Sequence, residues 1–424
     1  MTLNRREFAR VFAAGGSAAL FAHPAFAGAQ APPLPSAGAA AGERFWTAVR
    51  DQFVLPPGLA VMNAANLCPS TRAVLESMYA GTRDVDQDPS PANRAKLYPA
   101  REETRRRLAA FLRVAPEEIV ITRNTSESNN LVSNGLDLKP GDEVVIFADN
   151  HPSNNAAWRA KGKRFGYTVT ELANPNPHPG ADYYVEVVRK ALSSRTKVLA
   201  FTHMTSPVGD VMPAAEMCRL ARERGVLSMV DGAQSFGLMD VDLSAIQPDF
   251  YSGSAHKWPC GPKEAGVLFV SARVQDRLWP TIYSAYPGAV GFSRSFEGFG
   301  QRDDAAIVAF GEAIAFQDKV GRASVEARAR QLTTALLHGL AKIPGVRLWT
   351  STVPERRAAV ASFQPGAEDP QKLATALYDS DRIGCATLGG QQPGLRFSPH
   401  LYNTAAEVDR VLAAVTRYMK SGVS

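Results

Sequence analysis

The sequence predicts an α/β protein: a mixed, mostly parallel sheet with helices on both faces, followed by a smaller C-terminal α/β domain. Three observations predict it. Between residues 118 and 271, short apolar runs alternate with polar loops and amphipathic segments, as strand, loop and helix units do in a parallel sheet. The 424 residues are 45% hydrophobic and 21% charged, enough for two or three domains, and no apolar run approaches the length that spans a bilayer. Beyond residue 340, shorter strands and helices alternate again. No solenoid-type repeat is visible.

The N-terminus reads as an export signal. Arg5 and Arg6 precede a weakly apolar segment, Val11 to Phe21, and Ala25-Phe26-Ala27 offers a small-x-small cleavage site. Gly15, Gly16 and Pro24 argue against the other reading, a basic amphipathic helix. The expectation is therefore a twin-arginine signal at 1–27, a Gly/Ala/Pro-rich linker at 28–43, a main unit at 44–310 and a small domain at 311–424. The export machinery would be a partner and the periplasm the location. Removing residues 1–27 takes away three arginines and one glutamate and lowers the formal charge from +6 to +4. That balance, with no Lys/Arg cluster interleaved with aromatics, excludes nucleic acid as a partner, and stable membrane association is not expected. Cys68, Cys218, Cys260 and Cys385 show no metal spacing, so no metal is expected, and they are read as free thiols.

Residues 43–80 predict a short helix, an extended run and a loop, Met62 to Pro69, whose Asn63-Ala64-Ala65-Asn66 suits either close backbone approach to a ligand or a plain turn. Pro99 to Val114 is a basic helix with a core stripe at Leu108, Phe111 and Leu112. A buried strand from Glu118 runs into Asn124-Thr125-Ser126 and a helix, which makes either an anion site at a helix N-terminus or an ordinary cap. Further strands are expected at Glu143–Ala148, which ends near His151, and at Gly166–Ala173 and Thr196–His203, the last leading to Ser206. Met212–Arg224 is an amphipathic helix ended by Gly225, and Val226–Val230 is a strand that delivers Asp231. Phe250–Ala255 brings in Ser254, His256 and Lys257, and Ala265–Ser271 returns as a strand. The Gly- and aromatic-rich connection at 280–303 is read as functional or interfacial, and 305–340 as helical throughout.

In an open α/β sheet, ligands bind at the carboxyl ends of the strands, where these polar residues fall. A lysine in a partly dry pocket can have a depressed pKa and form a Schiff base with a carbonyl cofactor. An acid keeps a heteroaromatic nitrogen protonated, while hydroxyl, amide and imidazole groups serve a phosphate and a phenolic oxygen. Pyridoxal 5'-phosphate demands all of these.

The ordered motifs Asn63-Ala-Ala, Thr122-x-Asn-Thr-Ser-Glu-Ser-Asn-Asn130, Asn150-His151 with Asn154, His203-x-Thr-Ser-Pro-x-Gly209, Asp231-Gly-Ala-Gln234, Ser254-Ala-His-Lys257 and Arg396-x-Ser-Pro-His-x-Tyr-Asn403 cover nearly everything from residue 44 onward. Together they resemble the class V aminotransferase group of fold-type I pyridoxal-phosphate enzymes, whose sheet has seven strands. The resemblance implies Lys257 as the Schiff-base lysine, Asp231 on the pyridine nitrogen, Gln234 on the ring hydroxyl and His151 stacked on the ring. It places Thr125, Ser126, Ser254 and His256 on the phosphate and Arg396 on a substrate carboxylate, and it adds Ser206 to the cofactor site. In related dimers a residue after a glycine in the long connection reaches the partner's phosphate, and Gln301 takes that place here. The implied assembly is a homodimer with the site near the interface. The Thr-Ser-Pro-x-Gly context looks like the isopenicillin-N-epimerase-like branch, and the loop Thr387–Gln392 lacks the nucleophilic cysteine of desulfurases. The expectation is an enzyme acting at Cα of an amino acid or of an aminoacyl group in a peptide-like metabolite, an aminotransferase or epimerase. A C–S lyase and a non-catalytic binding protein of the same fold are the alternatives.

Overall fold

The computed structural model describes residue 34 and residues 42–298 and 300–423. The expected signal at 1–27 lies outside the described residues, as does most of the linker at 28–43. The strands are β1 (Ala60–Val61), β2 (Ile119–Thr122), β3 (Glu143–Phe147), β4 (Thr168–Leu172), β5 (Thr196–Thr202), β6 (Leu227–Asp231), β7 (Phe250–Ser254), β8 (Gly266–Val270), β9 (Val346–Leu348), β10 (Ala361–Pro365), β11 (Ile383–Gly384), β12 (Ala386–Leu388) and β13 (Gly394–Phe397).

Seven of them form one sheet in the order β2-β8-β7-β6-β5-β3-β4. Neighbours from β7 to β4 are parallel, and β8 runs antiparallel to both β7 and β2. Every residue of β2, β3, β6, β7 and β8 is buried, which is why these strands read as continuous apolar runs. Successive side chains still part to opposite faces. Val145 and Phe147 pack with Tyr184, Met217 and Leu220, whereas Val144 and Ile146 pack with Leu131, Val132 and Trp158. Helices thus cover both faces, in agreement with the sequence expectation.

The C-terminal unit has a four-stranded antiparallel sheet, β12-β13-β10-β9, packed on the helices Arg322–Leu340, Pro370–Asp381 and Ala405–Ser421 through Leu336, Phe363, Leu377 and Val411. The N-terminal stretch is woven into this unit. β1 pairs in parallel with β11, Arg50 bonds Glu407 at 2.9 Å, and Arg328 holds Glu43 with a second contact at 2.9 Å.

The continuous helix expected over 305–340 is two helices, Asp304–Val320 and Arg322–Leu340. They part at Gly321, whose φ of 89° is open to glycine and closed to most residues. The connection at 280–303 is mostly turns with a short helix, Ser293–Phe296. Its far end is tied down by Glu297, which accepts from Arg105 at 2.6 Å and from the Ile121 N–H at 2.6 Å. Burying this ion pair is tolerable because the carboxylate also collects a backbone donor.

Candidate active site

The carboxyl ends of β6 and β7 and the N-terminus of the helix Thr125–Gly135 open onto one cavity of about 340 Å³. That volume suits a small cofactor or substrate. Thr125, Ser126, His151, Ser206, Asp231, Ser254, His256, Lys257 and Arg396 all line it. Gln234 and Gln301 do not.

The helix at Thr125 is capped by Asn124, whose side chain accepts from the Glu127 N–H at 3.0 Å. The cap reading is thus met by Asn124, and the hydroxyls of Thr125 and Ser126 are left free of the capping role. Ser254 Oγ, arriving on β7, accepts from the Thr125 N–H at 2.8 Å and meets its hydroxyl at 2.8 Å. Hydroxyls and a helix N-terminus converge as an anion cradle. His256 stands beside it with a buried Nδ1 that has no hydrogen-bond partner, and its pKa is pushed down to about 4 by burial and then by Lys257 and Lys263. A neutral imidazole there can donate or accept.

Asp231 is almost fully buried at the end of β6. Its Oδ1 accepts from the Ala233 N–H at 3.0 Å, and its Oδ2 accepts from Asn129 Nδ2 at 2.9 Å and Asn154 Nδ2 at 3.4 Å. These donors satisfy both oxygens of the buried carboxylate. Sequence reasoning assigned no role to Asn129 or Asn154. The signal was present: Asn129 lies one helical turn after Thr125 and shares its face.

Lys257 is half-buried, and its pKa falls to about 8, chiefly because burial disfavours the ammonium. Arg396 pushes in the same direction, and Asp231 opposes. Its neighbour Trp258 is clamped: the backbone carbonyl accepts from Gln317 at 2.6 Å and bonds His400 Nε2 at 2.7 Å, while the indole N–H donates to Gln234 at 2.9 Å. His151 caps the helix Pro152–Phe165, its Nδ1 accepting from the Ser153 N–H at 3.2 Å, so a neutral ring carries its proton on Nε2. Burial, then Lys257, hold its pKa below the ordinary value.

Arg396 comes from β13 in the other unit. Its guanidinium donates to Ser206 Oγ at 2.8 Å, to the Ser206 carbonyl at 3.0 Å and to Asn63 at 3.2 Å, and burial lowers its pKa to about 10. Ser206 also accepts from Gln234 Nε2 at 3.3 Å, and Gln234 donates to the Ala65 carbonyl at 2.9 Å. Gln234 is thus buried behind the cavity, where it braces Ala65, Ser206 and Trp258. Gln301 is exposed on a different face, accepting from Arg94 at 2.8 Å beside a separate cavity.

The residues fit pyridoxal phosphate on chemical grounds: a lysine depressed by burial, a buried carboxylate with its own donors, an anion cradle at a helix end and an unpartnered imidazole nitrogen. The comparisons agree. The chain is 31% identical over 394 residues to the isopenicillin N epimerase of Amycolatopsis lactamdurans, covering 88% of this chain and 99% of that one. It is also 31% identical over 334 residues to a probable cysteine desulfurase of Halalkalibacterium halodurans, covering 73% and 79%. Among solved structures, a C-DES mutant with glycine covalently linked to its PLP cofactor superimposes with a TM-score of 0.80 at 24% identity, over 87% of this chain and 98% of that one. The cysteine desulfurase of Thermococcus onnurineus NA1 also reaches a TM-score of 0.80, at 23% identity over 88% and 97%. These structures share the fold, and residues 73–411 match the aminotransferase class-V family model. With the strand-end lysine, acid and anion cradle in one cavity, the conclusion is that this chain belongs to the aminotransferase class-V family.

Proposed function

We propose that the protein is a pyridoxal-phosphate enzyme acting at Cα of an amino acid or of an aminoacyl group in a peptide-like metabolite, with transamination or epimerisation as its outcome. The observation that carries this reading is Lys257, its pKa lowered to about 8, in one cavity with Asp231 and Arg396. Bound pyridoxal phosphate supplies an electron sink for negative charge developing at Cα. Thr125, Ser126, Ser254 and His256 would hold its phosphate, and Asp231 would pair with its ring nitrogen. Arg396, its fork steadied by Ser206 and Asn63, is suited to orient a substrate carboxylate. Lys257 is the base for the Cα proton, because about half of its amine is already neutral near pH 8. A proton delivered to Cα by a second donor on the face opposite Lys257 would invert the centre, and delivery by Lys257 away from Cα would lead to transamination.

The likeness to desulfurases keeps C–S lyase chemistry as the second reading. Cys385 does not line the cavity, and burial raises its pKa to about 12, which disfavours a thiol-assisted route. The test is to add the cofactor and then amino acids and short aminoacyl compounds in heavy water. Deuterium uptake at Cα is expected with the wild type and not with Lys257→Ala, which should also lose the near-visible absorption band of the bound cofactor. Inversion without further mass change would identify an epimerase, loss of the amino group an aminotransferase, and release of a β-substituent the lyase. Absence of both band and exchange would overturn the proposal. The same reading includes a homodimer and, from Arg5-Arg6 and Ala25-Phe26-Ala27, twin-arginine export to the periplasm.

A further inference from the structure

Two cysteines, Cys68 and Cys260, lie in one buried cluster. Cys68 closes the loop that begins at Asn63, and Cys260 lies three residues after Lys257, about 190 residues away in sequence. Both are buried, at 1% and 0% exposure, within one cluster of packed residues, where Cys68 Sγ donates to the Ala64 carbonyl at 3.8 Å and Cys260 Sγ to the Trp258 carbonyl at 3.6 Å. The backbones around them are already joined. The Cys68 N–H donates to the His256 carbonyl at 2.8 Å, Ser70 Oγ donates to the Gly261 carbonyl at 2.9 Å, and Lys263 Nζ donates to the Cys68 carbonyl at 2.8 Å. The Tyr402 hydroxyl donates to Cys68 Sγ at 3.7 Å. Cys260 itself has a φ of 58°, a left-handed backbone that glycine adopts more readily, so a side chain is kept there at a steric cost. The other two thiols lie elsewhere, Cys218 in the core of the large sheet and Cys385 beside the C-terminal core.

We propose that Cys68 and Cys260 are a disulfide-forming pair that, in an oxidising medium, staples the loop of residues 62–69 to the turn behind Lys257. The oxidant is an external disulfide of the glutathione class. One cysteine attacks it as a thiolate and releases one external thiol. The second cysteine then attacks the mixed disulfide and displaces the other external thiol. The Cys68–Cys260 bond forms, the external S–S bond breaks, and the two electrons and the two protein thiol protons pass to the two external thiols. Burial holds the Cys260 thiol well above its ordinary pKa, so exchange is slow in the closed protein and runs as the chain folds or as the loops open. The bond would fix the Ala65 carbonyl, which braces Gln234, relative to the segment that carries Lys257.

The pair stands independently of the reaction assigned above, and its test needs no cofactor. The full chain is refolded from urea and incubated with oxidised and reduced glutathione, then denatured, alkylated and weighed. Two alkylated thiols are expected, together with one cross-linked peptide pair holding Cys68 and Cys260. Four alkylated thiols, or a bond joining any other cysteines, would overturn the proposal. In Cys260→Ser all three remaining thiols should alkylate under the same conditions. A reductant should lower the Tm of the oxidised wild type and leave that of the variant unchanged, since the bond restricts the unfolded chain.

Discussion

At the scale of single residues, the site is a set of charges handled in different ways. Burial lowers the pKa of Lys257 to about 8, whereas Asp231 is given hydrogen-bond donors on both of its oxygens. Only a neutral amine attacks a carbonyl, and Lys257 becomes neutral as pH rises through about 8. Capture of pyridoxal phosphate by the apoprotein should therefore quicken roughly tenfold per pH unit below that value and level off above it. Following the absorption band after mixing between pH 6 and 9 checks this, and a flat profile would place the responsible amine elsewhere. Asn129→Ala removes a 2.9 Å donor to the Asp231 carboxylate. A hydrogen bond to a charged group is worth about 1.5–3 kcal/mol, so Cα exchange should slow roughly tenfold to a hundredfold. The variant also leaves the buried Ser252 hydroxyl without its acceptor, so urea unfolding should show a loss of about 1–3 kcal/mol, and unchanged exchange would show that Asn129 does not tune Asp231.

At the scale of elements, the anion cradle depends on how closely β8 lets the N-terminus of the helix Thr125–Gly135 approach. A Cβ at Gly266 would lie 2.8 Å from Asn124 Cα and 2.8 Å from the Gly253 carbonyl oxygen, both backbone atoms that cannot swing aside. Gly266→Ala should destabilise the protein by about 1–3 kcal/mol in urea unfolding and weaken cofactor binding, because the displaced residue is the cap of that helix. Unaltered affinity would mean that the cradle tolerates a shifted cap. The elements themselves were largely legible. Strands β3, β5, β6 and β7 fall within a residue or so of their expected limits, because apolar runs bounded by polar loops leave little freedom once both faces are covered. The break at Gly321 was not foreseen, since the apolar pattern on its two sides runs on through the glycine.

At the scale of the whole molecule, Trp279 and, in the connection that follows at 280–303, Tyr283 and Tyr286 stand at 64%, 74% and 74% exposure, which is unusual for rings of this size. A second copy of the chain is the expected cover. Sedimentation should give a dimer, and Tyr283→Asp combined with Tyr286→Asp should shift it towards monomer. A wild type that sediments as a monomer at micromolar concentration would overturn that expectation. Gln301 belongs to the same scale. It lies apart from the cavity of its own chain, so a role at a phosphate would require another subunit.

What the sequence determined by itself was local: apolar runs that become strands, polar residues at their carboxyl ends, and a helix N-terminus after Asn124. Lys257, Asp231, Ser254 and Thr125 were legible because chain direction and strand periodicity place them at the same edge of the sheet. Only the tertiary structure decided which distant groups meet. It set Ser206 between Arg396 and Gln234, joined Gln234 to Ala65 and Trp258, and brought Asn129 and Asn154 to Asp231. Those pairings join residues from different helices, strands and loops, and no spacing along the chain encodes them. They follow from the packing of both faces of the sheet and of the two units against each other, which a linear pattern does not contain.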